Sequence, residues 1–205
     1  MRDPGHDPVP DDHPDRVRWN VRYAGDRTPS FIPHPLAVRA LAMDLPAGPV
    51  ADLACGPSGD VLLAAANGRP VTAVDISDVA LRMLGDEARR RGLSHLTTLA
   101  LADLSSWHAG PRSYALVMCT GFWDRAVFVA AAEAVADGGL LAWEALTADA
   151  RSSRPSLPSH WCLDPGEPAS LLAADFTVID QHDLQDRGRA PRRQLLARRG
   201  AGRAG

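Results

Sequence analysis

Apolar and polar positions fall into alternating blocks along most of this chain. "PVADLAC" (49–55), "PVTAVDI" (70–76), "LTTLALAD" (96–103), "YALVMCT" (114–120) and "LLAWEAL" (140–146) are short apolar runs of strand length. Between them lie segments with helical spacing. "SGDVLLAAANG" (58–68) ends at Gly68, and "SDVALRMLGDEARRRG" (77–92) has Ser77 or Asp78 as its N-cap and Gly92 past its end. "WDRAVFVAAAEAVADGG" (123–139) reads as a helix closed by a double glycine. This alternation predicts an α/β fold with a parallel sheet and right-handed crossovers.

The two ends of the chain depart from that rhythm. Residues 1–15 hold little to bury and are expected to be a disordered tail. Order is expected to start near "RVRWNVRYAGD" (16–26), where Trp19 and Tyr23 share a helix face. A proline-punctuated loop, "TPSFIPHP" (28–35), and a short helix, "LAVRALAMDL" (36–45), follow. Residues 147–164, "TADARSSRPSLPSHWCLD", form a long polar loop of the kind that serves as a lid or binding loop. "PGEPASLLAAD" (165–175) reads as a short helix. "FTVIDQHDL" (176–184) and "RRQLLARR" (192–199) are strands whose connection is too short for a helical crossover. They should pair antiparallel, as a hairpin at a sheet edge. Residues 16–200 then form one domain, and 201–205 a second disordered tail.

Composition narrows the function classes. Of the 205 residues, 45% are hydrophobic and 23% charged, as in a soluble globular domain. No run approaches a membrane span, and the start lacks a signal-peptide core, so a cytoplasmic location without a membrane partner is expected. The formal net charge of -3 gives no reason to expect a nucleic-acid partner. All 22 basic residues are arginine. Without lysine there is neither a Schiff-base enzyme nor a Walker-type phosphate loop. Three widely spaced cysteines, Cys55, Cys119 and Cys162, suggest no disulfide framework and no metal site.

The candidate chemistry lies in "VADLACGPSG" (50–59), a strand, tight turn and helix start. In an open α/β sheet a ligand sits at the carboxyl ends of the strands, and such a turn offers it backbone N–H groups. Asp52, Asp75 and Asp103 stand at the ends of three consecutive strands. Asp75 is placed to accept ribose hydroxyls, and Asp103 an adenine amino group. Two cofactors compete. For NAD, the G-x-G-x-x-G fingerprint falls on Ala54, Gly56 and Gly59. For S-adenosylmethionine, the acids fit together with Ala54, Gly56 and Ser58. Asp52 favours the second, because an acid repels a pyrophosphate and attracts a methionine ammonium.

On these residues the chain resembles the class I S-adenosylmethionine-dependent methyltransferases over roughly residues 16–199. "DLACGPSG" looks like motif I, "VTAVDIS" motif II, "LAD" motif III and "ALVMCT" the strand of motif IV, while "VADGGLLAWEAL" resembles the segment entering strand five. "WNVRYA", "FWDRAVF", "LAWEALT" and "LDPGEPASLL" are similar to the small bacterial branch of tellurite-resistance and thiopurine methyltransferases. Departures are Ala54 and Ser58, where glycine is frequent, and Asp137, where proline is usual. Motif IV also lacks the Asn/Asp-Pro-Pro-aromatic run of amino-methylating nucleic-acid enzymes.

The resemblance implies a Rossmann-like, seven-stranded, mostly parallel sheet with a C-terminal antiparallel hairpin and helices on both faces. It implies S-adenosylmethionine as cofactor and direct in-line methyl transfer to a small-molecule acceptor, either a soft thiol or chalcogen or a metabolite oxygen or nitrogen, in a monomer or homodimer. Asp52, Ala54, Cys55, Gly56, Ser58, Gly59, Asp75, Ile76, Ser77, Ala102, Asp103, Leu104, Cys119 and Thr120 would hold the cofactor. Trp19, Tyr23, Phe31, Asp124 and Trp161 would touch the acceptor. Glu144, His34 and His160 are the candidate bases. A non-catalytic cofactor-binding or scaffold protein, an NAD-dependent oxidoreductase, and an unusual reaction of the same cofactor are the competing readings.

Overall fold

The computed structural model describes residues 9–25, 29–185 and 188–202. Seven strands form one sheet: β1 (Val50–Leu53), β2 (Val71–Asp75), β3 (Thr97–Leu101), β4 (Tyr114–Thr120), β5 (Val135–Leu146), β6 (Phe176–Leu184) and β7 (Arg192–Arg199). Their order across the sheet is β3-β2-β1-β4-β5-β7-β6. The first five are parallel, and β7 pairs antiparallel with both β5 and β6. The predicted hairpin is therefore present, with β7 inserted beside β5 and β6 at the edge.

The central strands are buried on both faces, which is why they read as continuous apolar runs. On one face, Val50, Leu116, Met118, Leu140 and Ala142 pack under α2 (Pro35–Leu41), α3 (Gly59–Ala66) and α4 (Asp78–Arg90). On the other, Ala51, Leu53, Val117, Leu141 and Trp143 pack under Val127, Phe128 and Ala131 of α5 (Arg125–Glu133). Ser77 caps α4 by accepting from Ala80 N–H, and Ser58 caps α3 by accepting from Asp60 and Val61 N–H. Helices thus cover both faces, as expected.

Four expectations need correction. Part of the expected N-terminal tail, residues 1–8, lies outside the described residues. Its remainder is structured: Val9 is buried, and α1 (Pro14–Ala24) starts two residues before Arg16. Arg16 donates to Val9 O at 2.9 Å and Asp78 Oδ1 at 3.0 Å, which holds this segment on the domain. At the other end Ala201 and Gly202 are described, and residues 203–205 lie outside. The helix expected over 123–139 stops at Glu133. Val135, β-branched and fully buried, already pairs with Tyr114, and Gly138 (φ 74) and Gly139 carry the register shift that follows. A Cβ at Gly139 would stand 2.8 Å from Ala115 O, so only glycine lets the two strands approach there. Residues 165–175 make one 3-10 turn, Ala169–Leu171, instead of a helix, since Pro168 lacks an N–H and Gly166 has φ 86. The 147–164 loop is closed at its base by a Thr147–Leu163 bridge and contains α6 (Ala150–Ser153).

Candidate active site

The first turn is built by backbone in unusual conformations. After β1, Ala54 (φ 50) and Gly56 (φ 57) are both left-handed, and Ser58 then starts α3. Asp75, at the end of β2, holds the turn. One carboxylate oxygen accepts Gly56 N–H at 2.7 Å and the other Ser77 N–H at 2.8 Å. Burial pushes the Asp75 carboxyl above its usual range, and the N–H bonds partly offset it. Its backbone carbonyl accepts Ala102 N–H at 3.0 Å, which ties the ends of β2 and β3 together.

A cavity of about 230 Å³ opens at these carboxyl ends. Its floor includes Ala54, Asp75, Ile76, Ala102, Asp103, Leu104 and Thr120, seven of the residues expected to hold the cofactor. Its roof includes Trp19, Tyr23 and Trp161, three of the five expected at the acceptor. Asp15, Arg18, Gly121, Phe122, Trp123 and Leu146 also line it, and sequence reasoning missed all six. The i,i+4 aromatic spacing that singled out Trp19 and Tyr23 gives no reason to choose Arg18. In the sequence Phe122 and Trp123 read as part of a motif and a helix start.

The roof is held by polar contacts. No residue of α1 is buried. Asn20 donates to Asp78 Oδ1 at 2.7 Å and accepts the Ser77 hydroxyl at 2.6 Å. Trp19 stacks on Tyr23 with ring centroids 5.7 Å apart. The Arg18 guanidinium lies 4.9 Å from the Trp161 ring centroid and 5.5 Å from that of Trp19, so it bridges α1 and the 147–164 loop. The Tyr23 hydroxyl covers Gly56, where an added Cβ would approach it to 2.7 Å. Burial, with the Asp75 charge, raises the Tyr23 phenol further above its usual value, so it stays protonated at neutral pH.

Other candidates lie outside the cavity lining. Cys55, Gly56, Gly59 and Ser77 shape the turn and its surroundings. Asp52 sits behind the turn, nearly fully buried, and accepts the Ser58 hydroxyl at 2.6 Å. Cys119 is buried toward the α5 face, and burial and the Asp52 charge push its thiol up. Asp124 caps α5 by accepting Val127 N–H at 3.0 Å. Phe31 packs against the core under α2 and α3. His160 is exposed beside the Trp161 ring.

Glu144 and His34 meet each other away from the cavity, with Oε2 and Nε2 3.4 Å apart. Gln194 donates to Glu144 at 2.7 Å, and Arg192 Nε lies 3.0 Å from its other oxygen. Burial raises the Glu144 carboxyl, but His34, Gln194 and Arg192 together outweigh it and hold the group below the usual range. A carboxylate so held is a weak base.

Asp52 carries a testable pH dependence. Burial first, then the Asp60 charge, push its carboxyl well above the usual range. The folded state therefore binds the proton more tightly than the unfolded one. Stability falls as pH rises from about 4, the unfolded carboxyl value, through the raised folded value. Asp52→Asn removes the charge and keeps an acceptor for Ser58. It is expected to flatten that decline and to stabilise the unliganded protein at pH 8 by about 1–2 kcal/mol. Denaturant melts from pH 5 to 8 would measure this, and parallel slopes for the two proteins would contradict it.

Among the described residues, no group of three or more His, Cys, Asp or Glu side chains is placed to hold a metal ion. No described helix is long and apolar enough to cross a membrane.

Residues 50–139 match the family model described as a methyltransferase domain. The chain is similar in structure to magnesium protoporphyrin IX methyltransferase from Synechocystis PCC 6803, solved with bound S-adenosylhomocysteine. The two share 18% identity over 91% of this chain and 94% of the other, with a TM-score of 0.65. It is similar to a protein solved in work on the conversion of a disulfide bond into a thioacetal group during echinomycin biosynthesis (18% identity, 93% and 94% coverage, TM-score 0.65). A third similar structure is geranyl diphosphate C-methyltransferase from Streptomyces coelicolor A3(2) (12% identity, 80% and 73% coverage, TM-score 0.64). No protein of curated function matches the sequence. The matched segment runs from β1 into β5 and carries the cofactor turn. Residues 50–139 thus match a methyltransferase domain, within a seven-stranded fold shared with solved methyltransferases.

Proposed function

We propose that this enzyme methylates a small molecule held between the strand ends and the aromatic roof. The carrying observation is the cavity itself, with Asp75 on its floor and Trp19, Tyr23 and Trp161 above. The residues fit the cofactor. Asp75 uses one acceptor position of each oxygen on backbone, and a carboxylate has about four. The remaining positions suit two ribose hydroxyls. Asp103, with Ala102 and Leu104, would take the adenine, and the turn over 54–59 the methionine moiety. The bound sulfonium supplies an already activated methyl group.

This chain's residues then align the partners and exclude water. Tyr23 stays protonated, and Glu144 and His34 do not line the cavity. That favours an acceptor atom nucleophilic without an enzyme base, such as a thiol or chalcogen, and agrees with the resemblance to the tellurite-resistance and thiopurine branch. Three of the chain's five tryptophans line the cavity and suit an apolar or planar acceptor. The relatives named for magnesium protoporphyrin IX and geranyl diphosphate act on small molecules as well.

The volume has a consequence. About 230 Å³ is less than the roughly 300–1,000 Å³ of a typical ligand site. Cofactor and acceptor together require the roof to lift, and α1, which buries no residue, is the part that yields.

Calorimetry is expected to show one site for S-adenosylmethionine and for S-adenosylhomocysteine. A screen of thiol, chalcogen, phenol and amine acceptors is then expected to release S-adenosylhomocysteine with the soft nucleophiles. Absence of binding defeats the proposal. Binding without turnover on any acceptor points to a non-catalytic protein of the same fold.

A further inference from the structure

We infer that His34 and Glu144 are positioning residues, a clasp that holds residues 29–34 against the start of α3 and so fixes the cofactor turn from behind. This rests on the cofactor assignment above.

The clasp is a chain of polar contacts from β5 to β1. His34 Nε2 faces Glu144 Oε2 at 3.4 Å. The His34 backbone N–H donates to Asp60 Oδ1 at 2.5 Å. Asp60 N–H donates to Ser58 Oγ at 3.0 Å, and the Ser58 hydroxyl donates to Asp52 at 2.6 Å. Ser58 is the last residue of the turn, and Asp52 lies on the strand leading into it. Apart from the Asp60–Ser58 link, which is the cap of α3 itself, the links join different elements, so the chain carries position between them.

The tautomer of His34 assigns its role. Leu36 N–H donates to Nδ1 at 3.2 Å, which caps α2. The ring proton is therefore on Nε2, pointing at Glu144. To act as a base the ring would have to use Nδ1, the nitrogen already holding the cap. Glu144 in turn is shared among His34, Gln194 and Arg192. Both side chains are committed to structure at the back of the turn.

The turn needs such support. Ala54 is a non-glycine residue at φ 50, a conformation that persists only where surroundings impose it. Segment 29–34 braces the other end of this turn, at Gly59. It presses so closely on α3 that a Cβ at Gly59 would lie 2.6 Å from Phe31 O.

Two variants separate the roles of the ring. His34→Asn keeps a side-chain acceptor for the α2 cap and the backbone N–H to Asp60, but is too short to reach Glu144. His34→Gln places an amide where Nε2 stood and restores that reach. We expect His34→Asn to weaken S-adenosylhomocysteine binding about tenfold, the equivalent of one lost polar link, with an unliganded melting temperature near that of the wild type. His34→Gln is expected to recover most of the affinity. In the wild type, amide exchange at Phe31, Ile32 and His34 should slow on S-adenosylhomocysteine binding, a readout independent of any variant's folding.

Equal binding by wild type and His34→Asn overturns the clasp and leaves only a helix cap. So does His34→Gln no better than His34→Asn, or exchange unchanged by ligand. Normal binding by His34→Asn with loss of turnover would restore the base assignment. A wild type that binds no S-adenosylhomocysteine overturns the cofactor assignment and this inference together, whereas equal affinities overturn this inference alone.

Discussion

Asp75→Ala is expected to weaken S-adenosylhomocysteine binding by at least about a hundredfold. Two charge-assisted bonds to ribose hydroxyls, at roughly 1.5 kcal/mol or more each, account for that factor. The substitution also has a cost without ligand. Gly56 and Ser77 N–H groups, both donating to this carboxylate at under 3 Å, lose their acceptor inside the protein. Each unsatisfied donor costs about 1–3 kcal/mol, so the two together should cost the unliganded protein about 2–6 kcal/mol in denaturant melts. Asp75→Asn separates the two effects. Its oxygen still satisfies one N–H, while its amide faces the other donor, and affinity should fall between the two extremes. Binding by Asp75→Ala within threefold of the wild type, measured calorimetrically, would refute the assignment of this carboxylate to the cofactor.

The strands and the turn were legible because their causes are local. A buried parallel strand must be apolar along its length, and a strand–turn–helix needs small residues at the bend. Asp75 and Asp103 follow from that, since the end of a strand in this sheet defines where the cavity opens, while Ile76, Ala102, Leu104 and Thr120 come with the family resemblance. Ala54 shows the limit of a glycine pattern. The position requires a left-handed backbone (φ 50), and alanine takes it under support from its neighbours.

What the sequence could not show are partnerships between distant segments. Glu144 in an apolar strand looks like a base until Gln194 and Arg192, about fifty residues later, are seen to arrive on β7. Which strand lies next to β5 is a matter of topology, and no periodicity within "LLAWEAL" contains it. Arg18 and Trp161 meet across the cavity although they come from opposite ends of the chain. Asp124, in the turn after β4, and Phe31, in a segment flanking the sheet edge, are expected at the acceptor. The first is used by the helix beneath it, and the second packs under α2 and α3. The helix over 123–139 was too long because alanine-rich "AAEAVA" favours helix, whereas buried pairing of Val135 with Tyr114 decides for strand.

Gly59→Ala is expected to be the most damaging single methyl addition near the turn. Gly59 is the first residue of α3, and its φ lies outside the left-handed region, so alanine fits its backbone. In a helix alanine is favoured over glycine by about 1 kcal/mol, and with open space the change would stabilise. Space decides the sign. The new Cβ would stand 2.6 Å from both Ile32 C and Phe31 O, and backbone atoms cannot rotate aside. Either the core strains, at about 1–3 kcal/mol, or residues 29–34 lift and His34 N–H leaves Asp60. Set against the alanine gain of about 1 kcal/mol, the expected net loss is up to about 2 kcal/mol, together with weaker S-adenosylhomocysteine binding. Gly68→Ala is the control. That residue is left-handed (φ 78) with nothing within 4 Å of the added methyl. Its cost of about 1 kcal/mol is conformational alone, and ligand affinity should not move. If Gly59→Ala melts with the wild type, segment 29–34 does not press on α3 as described. If it melts lower but binds S-adenosylhomocysteine normally, the support of the turn comes from elsewhere.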